Sequence, residues 1–467
     1  MLITRAEIGG VSPLDVRIVD GRIVEIDRDL SRAAGELLLD AAGGALLPGL
    51  HDHHLHLFAL AAASASVRCG PPEVPDRDAL AQALASSGHA AEWIRGVGYH
   101  ESVAGELDRR ALDALVAERP VRIQQRSGAL WMLNSAAIDR VGLDRGVDAR
   151  GVERDEAGRA TGRLFRLDEW LRKQLDAIAP PSLAQVSRRL ASFGVTGITD
   201  ATHSNAAAEL RVFTAAAERN ELLQRVLMLG SAELPQSNHP RIERGAVKLL
   251  LDERELPSFD EFQQRIEAAH EQQRAVAVHC VTRSELVLAI AAFAAAGTRA
   301  GDRIEHAAIA PPDTLKLVAD LGLTVVTQHG FLRERGDAYL IDVETRDQPW
   351  LYRGRGFLEA SVAVGGGTDA PFGDPDPWRS MQSAIDRRCE AGIMLGPDER
   401  LTPEQALALF TTDPASPGGA PRTLKAGVPA DLCLLDRPWS RARAELSSDL
   451  VRCAIREGSL IGSPSPD

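Results

Sequence analysis

Basic residues are in deficit. The chain has 53 Lys and Arg against 66 Asp and Glu, a formal net charge of -13 over 467 residues. Neither nucleic acid nor an anionic membrane is expected as the main partner, because either would need a basic face. Cysteine is scarce too. Cys69, Cys280, Cys389, Cys433 and Cys453 show no CxxC spacing, so neither a disulfide framework nor a zinc ribbon is indicated, and a reducing cytosol is the default. No apolar run reaches about 18 residues, the length at which a transmembrane helix is read. The Ala-rich stretch Leu286 to Gly297 is shorter and fits a buried helix. The opening Met1-Leu2-Ile3-Thr4-Arg5-Ala6-Glu7 lacks the charged-then-apolar pattern of a secretory signal, and a cytoplasmic location is expected. Aromatic residues make up 4% of the chain, which leaves little to read about ring stacking. Solenoid repeats and long low-complexity tracts are missing as well. What remains is a length that can bury one large barrel or two to three smaller domains, and a charge balance that suits an enzyme with a small-molecule substrate.

Histidine is concentrated instead. Four of the twelve fall within His51-Asp52-His53-His54-Leu55-His56, directly after the apolar run Ala45 to Leu50. That run reads as a buried strand with the imidazoles at its end. Because side chains alternate along a strand, His51 and His53 share one face and His54 and His56 share another. Either pair could chelate a cation.

The two ends of the chain read as short strands. Asp15 to Val19 and Arg22 to Ile26 flank an Asp20-Gly21 turn, a strong hairpin signal. Ala430 to Asp436 and Val451 to Arg456 have the same texture, with a turn at Glu457-Gly458. Residues 1–47 and 423–467 are therefore expected to pair into one small β-sandwich domain. Between them, apolar strands at Gly194 to Thr199, Gln224 to Leu229, Ala246 to Leu251, Ala275 to Val278, Asp302 to Glu305, Leu323 to Thr327 and Ser361 to Gly365 alternate with helical patterns such as Phe259 to Arg274 and Ser284 to Ala296. With Ala45 to Leu50 they make eight, the number a (β/α)8 TIM barrel requires. The expected class is α/β, with the barrel over 48–422 and an insertion at about 58–190 that holds strand-like pieces at Trp93 to Tyr99 and Val121 to Gln125. Emerging after the first strand, the insertion is read as a lid and specificity region over the barrel mouth.

Further metal-type residues stand at the ends of these strands. Lys248, His279, His306 and Asp369 are separated by 31, 27 and 63 residues, close to one, one and two βα units, so all would converge on the mouth that carries the His-rich hexad. Imidazoles suit zinc and similar ions, and a carboxylate adds charge and can take a proton from water. An ammonium cannot ligate; Lys248 contributes only deprotonated or as a carbamate. Such a site would polarise a carbonyl and generate hydroxide near neutral pH.

In these pieces the chain resembles the amidohydrolase superfamily, in particular its long-insert branch with the N-substituted formamide deformylases. The matching runs are Pro48-Gly49-Leu50-His51-Asp52-His53-His54-Leu55-His56, Val247-Lys248-Leu249, Ala277-Val278-His279, Arg303-Ile304-Glu305-His306-Ala307 and Gly367-Thr368-Asp369-Ala370-Pro371, with Leu424 to Leu432 as the return into the terminal domain. The resemblance implies a distorted barrel with two divalent metal ions, most naturally zinc. His54 and His56 would hold the more buried ion, a carboxylated Lys248 would bridge, His279 and His306 would hold the second, and Asp369 would touch the first and shuttle the proton. It implies hydrolysis of an amide, formamide or cyclic amide bond through a metal-activated hydroxide. It also selects His54 and His56 over His51 and His53, leaving Asp52 as a partner that orients a ligand. A homodimer is compatible with all of this.

Two departures stand out. After His279 the chain continues Cys280-Val281-Thr282-Arg283, where relatives often carry a small-residue turn ending in Asp. Arg126-Ser127-Gly128-Ala129-Leu130-Trp131 stands where many relatives carry Asp-Gly-His. His203 and His329 close strands, and His100, Arg126 and Trp131 lie in the insertion; these five are the candidate substrate contacts, each set against a structural role. Gly365-Gly366-Gly367 is not followed by Lys-Ser/Thr, so it reads as room for backbone near the metal rather than as a phosphate loop. A one-metal deaminase would need a Glu shortly after the fifth-strand histidine, and none follows His279. The other alternative is a catalytically silent protein that keeps metal for binding or structure.

Overall fold

The computed structural model describes residues 1–87, 92–145, 150–175 and 181–462. Two compact units result, Met1–Leu57 with Leu183–Asp467, and Phe58–Ser182.

The first unit is a distorted (β/α)8 barrel with an attached β module. Its eight strands are β1 (Leu50–Leu55), β2 (Val195–Asp200), β3 (Arg225–Gly230), β4 (Ile242–Leu250), β5 (Val276–Cys280), β6 (Arg303–His306), β7 (Thr324–Thr327) and β8 (Val364–Gly366). They stand in chain order, each parallel to the next. The last meets the first through residues just beyond β8. Asp369 N–H donates to His54 O at 2.7 Å, and His56 N–H donates to Ala370 O at 2.8 Å. The seam that nearly closes the barrel is thus stitched by the segments that carry three candidate ligands.

The placement of β1 corrects the sequence reading. The apolar run before the hexad is not the barrel strand: Leu46–Pro48 pairs antiparallel with Leu432–Leu435 in the terminal module, and the hexad itself enters the barrel. Gly49 sits between the two, where a Cβ would meet the Thr196 hydroxyl at 2.3 Å. A parallel barrel buries both faces of its strands, so apolar character alone does not mark them. Leu50 to Leu55 are all buried, and the polar members each have a partner. His51 Nε2 lies 2.9 Å from Thr199 Oγ1, and His53 Nε2 lies 3.0 Å from Thr412 Oγ1. Their rings are 4.6 Å apart, on one face as the strand period requires, and burial holds both imidazoles well below their ordinary pKa.

The terminal module draws on both ends of the chain. One sheet runs Arg22–Asp27, Val11–Val19, Leu2–Ile8, Leu38–Asp40; the other runs Ser459–Gly462, Val451–Arg456, Leu432–Leu435, Leu46–Pro48. Their common core holds Ile3, Val16, Ile23, Leu46, Leu434 and Ile455. Both turns expected from sequence carry the positive φ that Asp-Gly and Glu-Gly pairs supply: 47° and 75° at Asp20 and Gly21, 47° and 73° at Glu457 and Gly458.

The departure after His279 has a local explanation. Thr282 caps the helix Arg283–Ala296 in a capping box with Glu285. The Glu285 carboxylate also accepts from the N–H groups of Val281, Thr282 and Glu253. That loop is therefore fixed by a carboxylate from the helix.

The second unit is a six-stranded mixed sheet in the order Val152–Arg154, Ala160–Phe165, Leu130–Leu133, Val121–Gln125, Ile94–Tyr99, Val67–Arg68. Each face has its own apolar core. One includes Ile94, Tyr99, Val121, Ile123 and Met132; the other includes Trp131, Leu133, Ile138, Leu164 and Leu171.

Candidate metal centre

Three donor atoms converge at the barrel seam. Asp369 Oδ1 lies 3.2 Å from His56 Nε2 and 3.5 Å from His54 Nε2. The oxygen is buried and has no hydrogen-bond partner of proper geometry. Among the described residues, His54, His56 and Asp369 form the group whose ligand atoms all lie within 4.8 Å of one another.

The opposite ring nitrogens are occupied. His54 Nδ1 is 2.5 Å from Glu305 Oε2, and His56 Nδ1 is 2.9 Å from Thr202 Oγ1. A carboxylate can only accept, so the His54 proton sits on Nδ1 and the Nε2 lone pair faces Asp369. Burial and the nearby Lys248 lower the His54 pKa, which keeps that lone pair free. At Asp369 burial alone would raise the carboxyl, but His56, His54 and His306 outweigh it and bring the group below its usual range.

The remaining candidates gather at the same strand ends. The His306 ring lies 4.8 Å from that of His54, tilted to it, and 4.5 Å from that of His279, edge to face, measured between ring centres. His306 Nδ1 donates to Gln328 Oε1 at 2.7 Å, leaving its Nε2 available. Burial draws the His279 pKa well down and takes His306 to about 3. Lys248, 5% exposed, has a buried Nζ without a hydrogen-bond partner, and burial lowers its pKa to about 8. His306 and Asp369 adopt positive φ of 69° and 55°, a conformation that costs a non-glycine residue energy and is found at sites the surroundings over-determine.

These donors fit a divalent cation. They are buried or half-buried imidazoles, those of His54, His56 and His306 with the outer nitrogen tied, together with a buried carboxylate oxygen that has no hydrogen-bond partner. The glycine run makes room for them, because a Cβ on Gly367 would lie 2.5 Å from His54 Cβ.

Residues outside the expected set complete the site. Glu305 is fully buried and ion-paired with Arg303, whose Nη2 also donates to His53 O at 3.0 Å. Burial would raise the Glu305 carboxyl, but Arg303, Lys248 and His54 hold it well below its usual range. Its signal was present in Arg303-Ile304-Glu305-His306: a charged pair two residues apart on one face of a buried strand demands a function. Asp52 acts differently from expectation. It accepts from the N–H of His54 at 3.1 Å and of Thr368 at 3.0 Å, and from the Thr368 hydroxyl. It therefore ties the backbone of one ligand segment to the other and orients no imidazole ring. Burial raises its pKa to about 7.

The five candidate substrate contacts are divided between the two units. His203 is exposed after β2. His329 is buried at the start of the helix Gly330–Asp342, with Nε2 lacking a hydrogen-bond partner. His100, Arg126 and Trp131 belong to the second unit. There His100 caps the four-residue helix Glu101–Ala104, Arg126 N–H donates to Tyr99 O at 2.9 Å, and Trp131 is buried in that unit's core.

An eight-stranded parallel barrel with imidazoles and a carboxylate meeting at its strand ends defines a metal-dependent hydrolase. The model of the amidohydrolase family matches residues 38–461, and the chain belongs to that family, whose enzymes act on carbon–nitrogen bonds. It is 26% identical to the N-substituted formamide deformylase of Arthrobacter pascens, covering 88% of this chain and 86% of that one. Among solved structures it is similar to an uncharacterized metal-dependent hydrolase of Pyrococcus horikoshii, with a TM-score of 0.74, 20% identity and coverage of 93% and 96%. It is also similar in fold to the atrazine chlorohydrolase TrzN of Arthrobacter aurescens, solved with zinc, with a TM-score of 0.58, 14% identity and coverage of 100% and 97%.

Proposed function

We propose that this chain hydrolyses the carbon–nitrogen bond of a small amide, with N-substituted formamides and cyclic amides as the substrate classes to try first. The observation that carries the reading is the approach of Asp369 Oδ1 to the Nε2 atoms of His56 and His54, 3.2 and 3.5 Å away, with both Nδ1 atoms engaged elsewhere. The formamide deformylase relative supports the choice of substrate class.

His54, His56 and Asp369 would hold one divalent ion, most naturally zinc, and His279 and His306 a second. Lys248, buried and unpartnered, would join the two as a carbamate. A bound divalent ion supplies Lewis acidity, which polarises a carbonyl oxygen and lowers the pKa of water. Glu305 holds the His54 imidazole in one tautomer, and Glu305 and Thr202 hold the two rings in orientation. Asp369 accepts the proton of the attacking water and returns it to the leaving nitrogen. The chain acts in the cytoplasm on a small molecule, with neither nucleic acid nor membrane as partner, and can do so as a homodimer.

The test is to load the purified chain with zinc, determine the metal content, and assay release of acid and amine from a panel of formamides, simple amides, hydantoins and lactams. Near two equivalents of metal and turnover of at least one class are expected. Full loading without turnover on any class would leave a silent metal-binding protein and overturn the proposal.

A further inference from the structure

The second unit holds two guanidinium groups that the proposed hydrolysis does not use. Arg95 and Arg122 lie directly opposite each other on neighbouring parallel strands. Both stack on Trp131, with guanidinium carbons 5.4 and 5.3 Å from the ring centre, and Arg122 also lies 6.0 Å from the centre of Trp93. Like charges facing each other across a ladder repel. The neighbouring arginines of this unit are neutralised: Arg109 pairs with Asp144 at 3.0 Å, and Arg163 with Glu106 at 3.2 Å and Glu153 at 3.3 Å. Arg95 and Arg122 are not. Among the described residues, neither has a carboxylate within 4.0 Å.

Their donors are underused as well. Arg95 Nη1 donates to Ser66 Oγ at 2.6 Å, while Arg122 Nε is buried without a hydrogen-bond partner. Asp168, whose charge acts on both guanidiniums, accepts hydrogen bonds from Trp131 Nε1 at 2.7 Å and Gln124 Nε2 at 3.2 Å. Burial lowers both guanidinium pKa values to about 10, so both stay charged at neutral pH. Two half-buried cations with spare N–H groups over an indole face form an incomplete site, and unpaired buried charge is costly. A planar carboxylate completes it: its oxygens take N–H groups from the guanidiniums, and a flat organic body can lie against Trp93, which is only partly buried.

We propose that Arg95 and Arg122, backed by Trp131 and flanked by Trp93, bind the carboxylate of a small organic acid in the second unit. The site is built from second-unit residues alone, and the proposal stands or falls apart from the hydrolysis proposal.

Isothermal titration of the full metal-loaded chain at fixed ionic strength, with sodium benzoate, benzamide and inorganic phosphate in turn, tests it. Benzoate should bind, and neutral benzamide should bind at least tenfold more weakly. Arg122→Gln and Arg95→Gln should each weaken benzoate at least tenfold, and Arg122→Lys should weaken it less. His56→Ala, which alters the metal centre, should leave benzoate binding in place. Benzoate should raise the Tm of the wild type and leave that of the Arg95→Gln/Arg122→Gln double variant unmoved, a readout available even where a single variant folds poorly. Equal binding of benzoate and benzamide, loss of benzoate binding in His56→Ala with retention in Arg122→Gln, or binding of phosphate in place of benzoate would each overturn the assignment.

Discussion

Glu305 Oε2 lies 2.5 Å from His54 Nδ1, and both side chains are fully enclosed. The carboxylate thereby fixes the tautomer of an imidazole whose other nitrogen faces Asp369. Such outer partners raise ligand basicity and hold ring orientation, and their loss typically lowers metal affinity about 10- to 100-fold. Glu305→Gln, close in shape but uncharged, should weaken metal binding within that range. Competition with a chelator of known affinity measures it.

Gly367 leaves no space for a side chain. A Cβ there would stand 2.5 Å from His54 Cβ and 2.9 Å from its backbone nitrogen, and backbone cannot rotate aside. Gly367→Ala should destabilise the fold by about 1–3 kcal/mol and lower metal content by displacing β1. Thermal unfolding and metal analysis on the same preparation report the two effects.

His329 predicts a pH dependence. Burial lowers its pKa to about 3 in the folded chain, from an ordinary value of 6.5. Below pH 6.5 the unfolded chain takes up a proton that the folded chain refuses, so this residue removes stability as pH falls from 6.5 towards 3. One pKa unit corresponds to about 1.4 kcal/mol, so the loss by about pH 5 reaches at most ~2 kcal/mol. His329→Asn should flatten that acid limb. Urea midpoints of the wild type and variant, compared between neutral pH and pH 5, check it.

Lys248 carries a buried ammonium with no partner. As a carbamate it would serve as a ligand; as a plain lysine it is only a desolvated cation. Lys248→Met should then reduce bound metal from near two equivalents to one or fewer, while thermal stability of the metal-free chain holds or rises, because an unpaired buried charge has been removed. Elemental analysis and a melting curve in chelator give the two numbers.

Much of the fold was legible because its signals are local. Asp20-Gly21 and Glu457-Gly458 are turn pairs whose backbone needs can be read from two residues, and the barrel strands after β1, the charged β6 apart, contain short apolar runs at βα spacing. The position of β1 was not legible in the same way. His51, Asp52, His53 and His54 are buried in a strand because Thr199, Thr368, Thr412 and Glu305 satisfy them, and these partners lie 148 to 359 residues away in sequence. Hydropathy sees the polar residue and not its distant partner. The same reason hid which ring Glu305 holds, although its charge on a buried strand was readable, and it hid Thr202 and Gln328, which look like ordinary strand-end residues until the rings they hold are seen. The convergence of His54, His56 and Asp369 was legible, since imidazoles and a carboxylate at strand ends on either side of the seam meet once the barrel closes.

The most direct measurement is the turnover of Asp369→Asn with its metal content determined on the same sample. Asparagine keeps the shape and an oxygen donor but cannot take the proton, a role typically worth about 100-fold or more in rate. The expected result is retained metal and a kcat reduced at least about 100-fold on whichever amide the wild type hydrolyses. Wild-type turnover in a fully metallated Asp369→Asn protein would contradict the role given to Asp369.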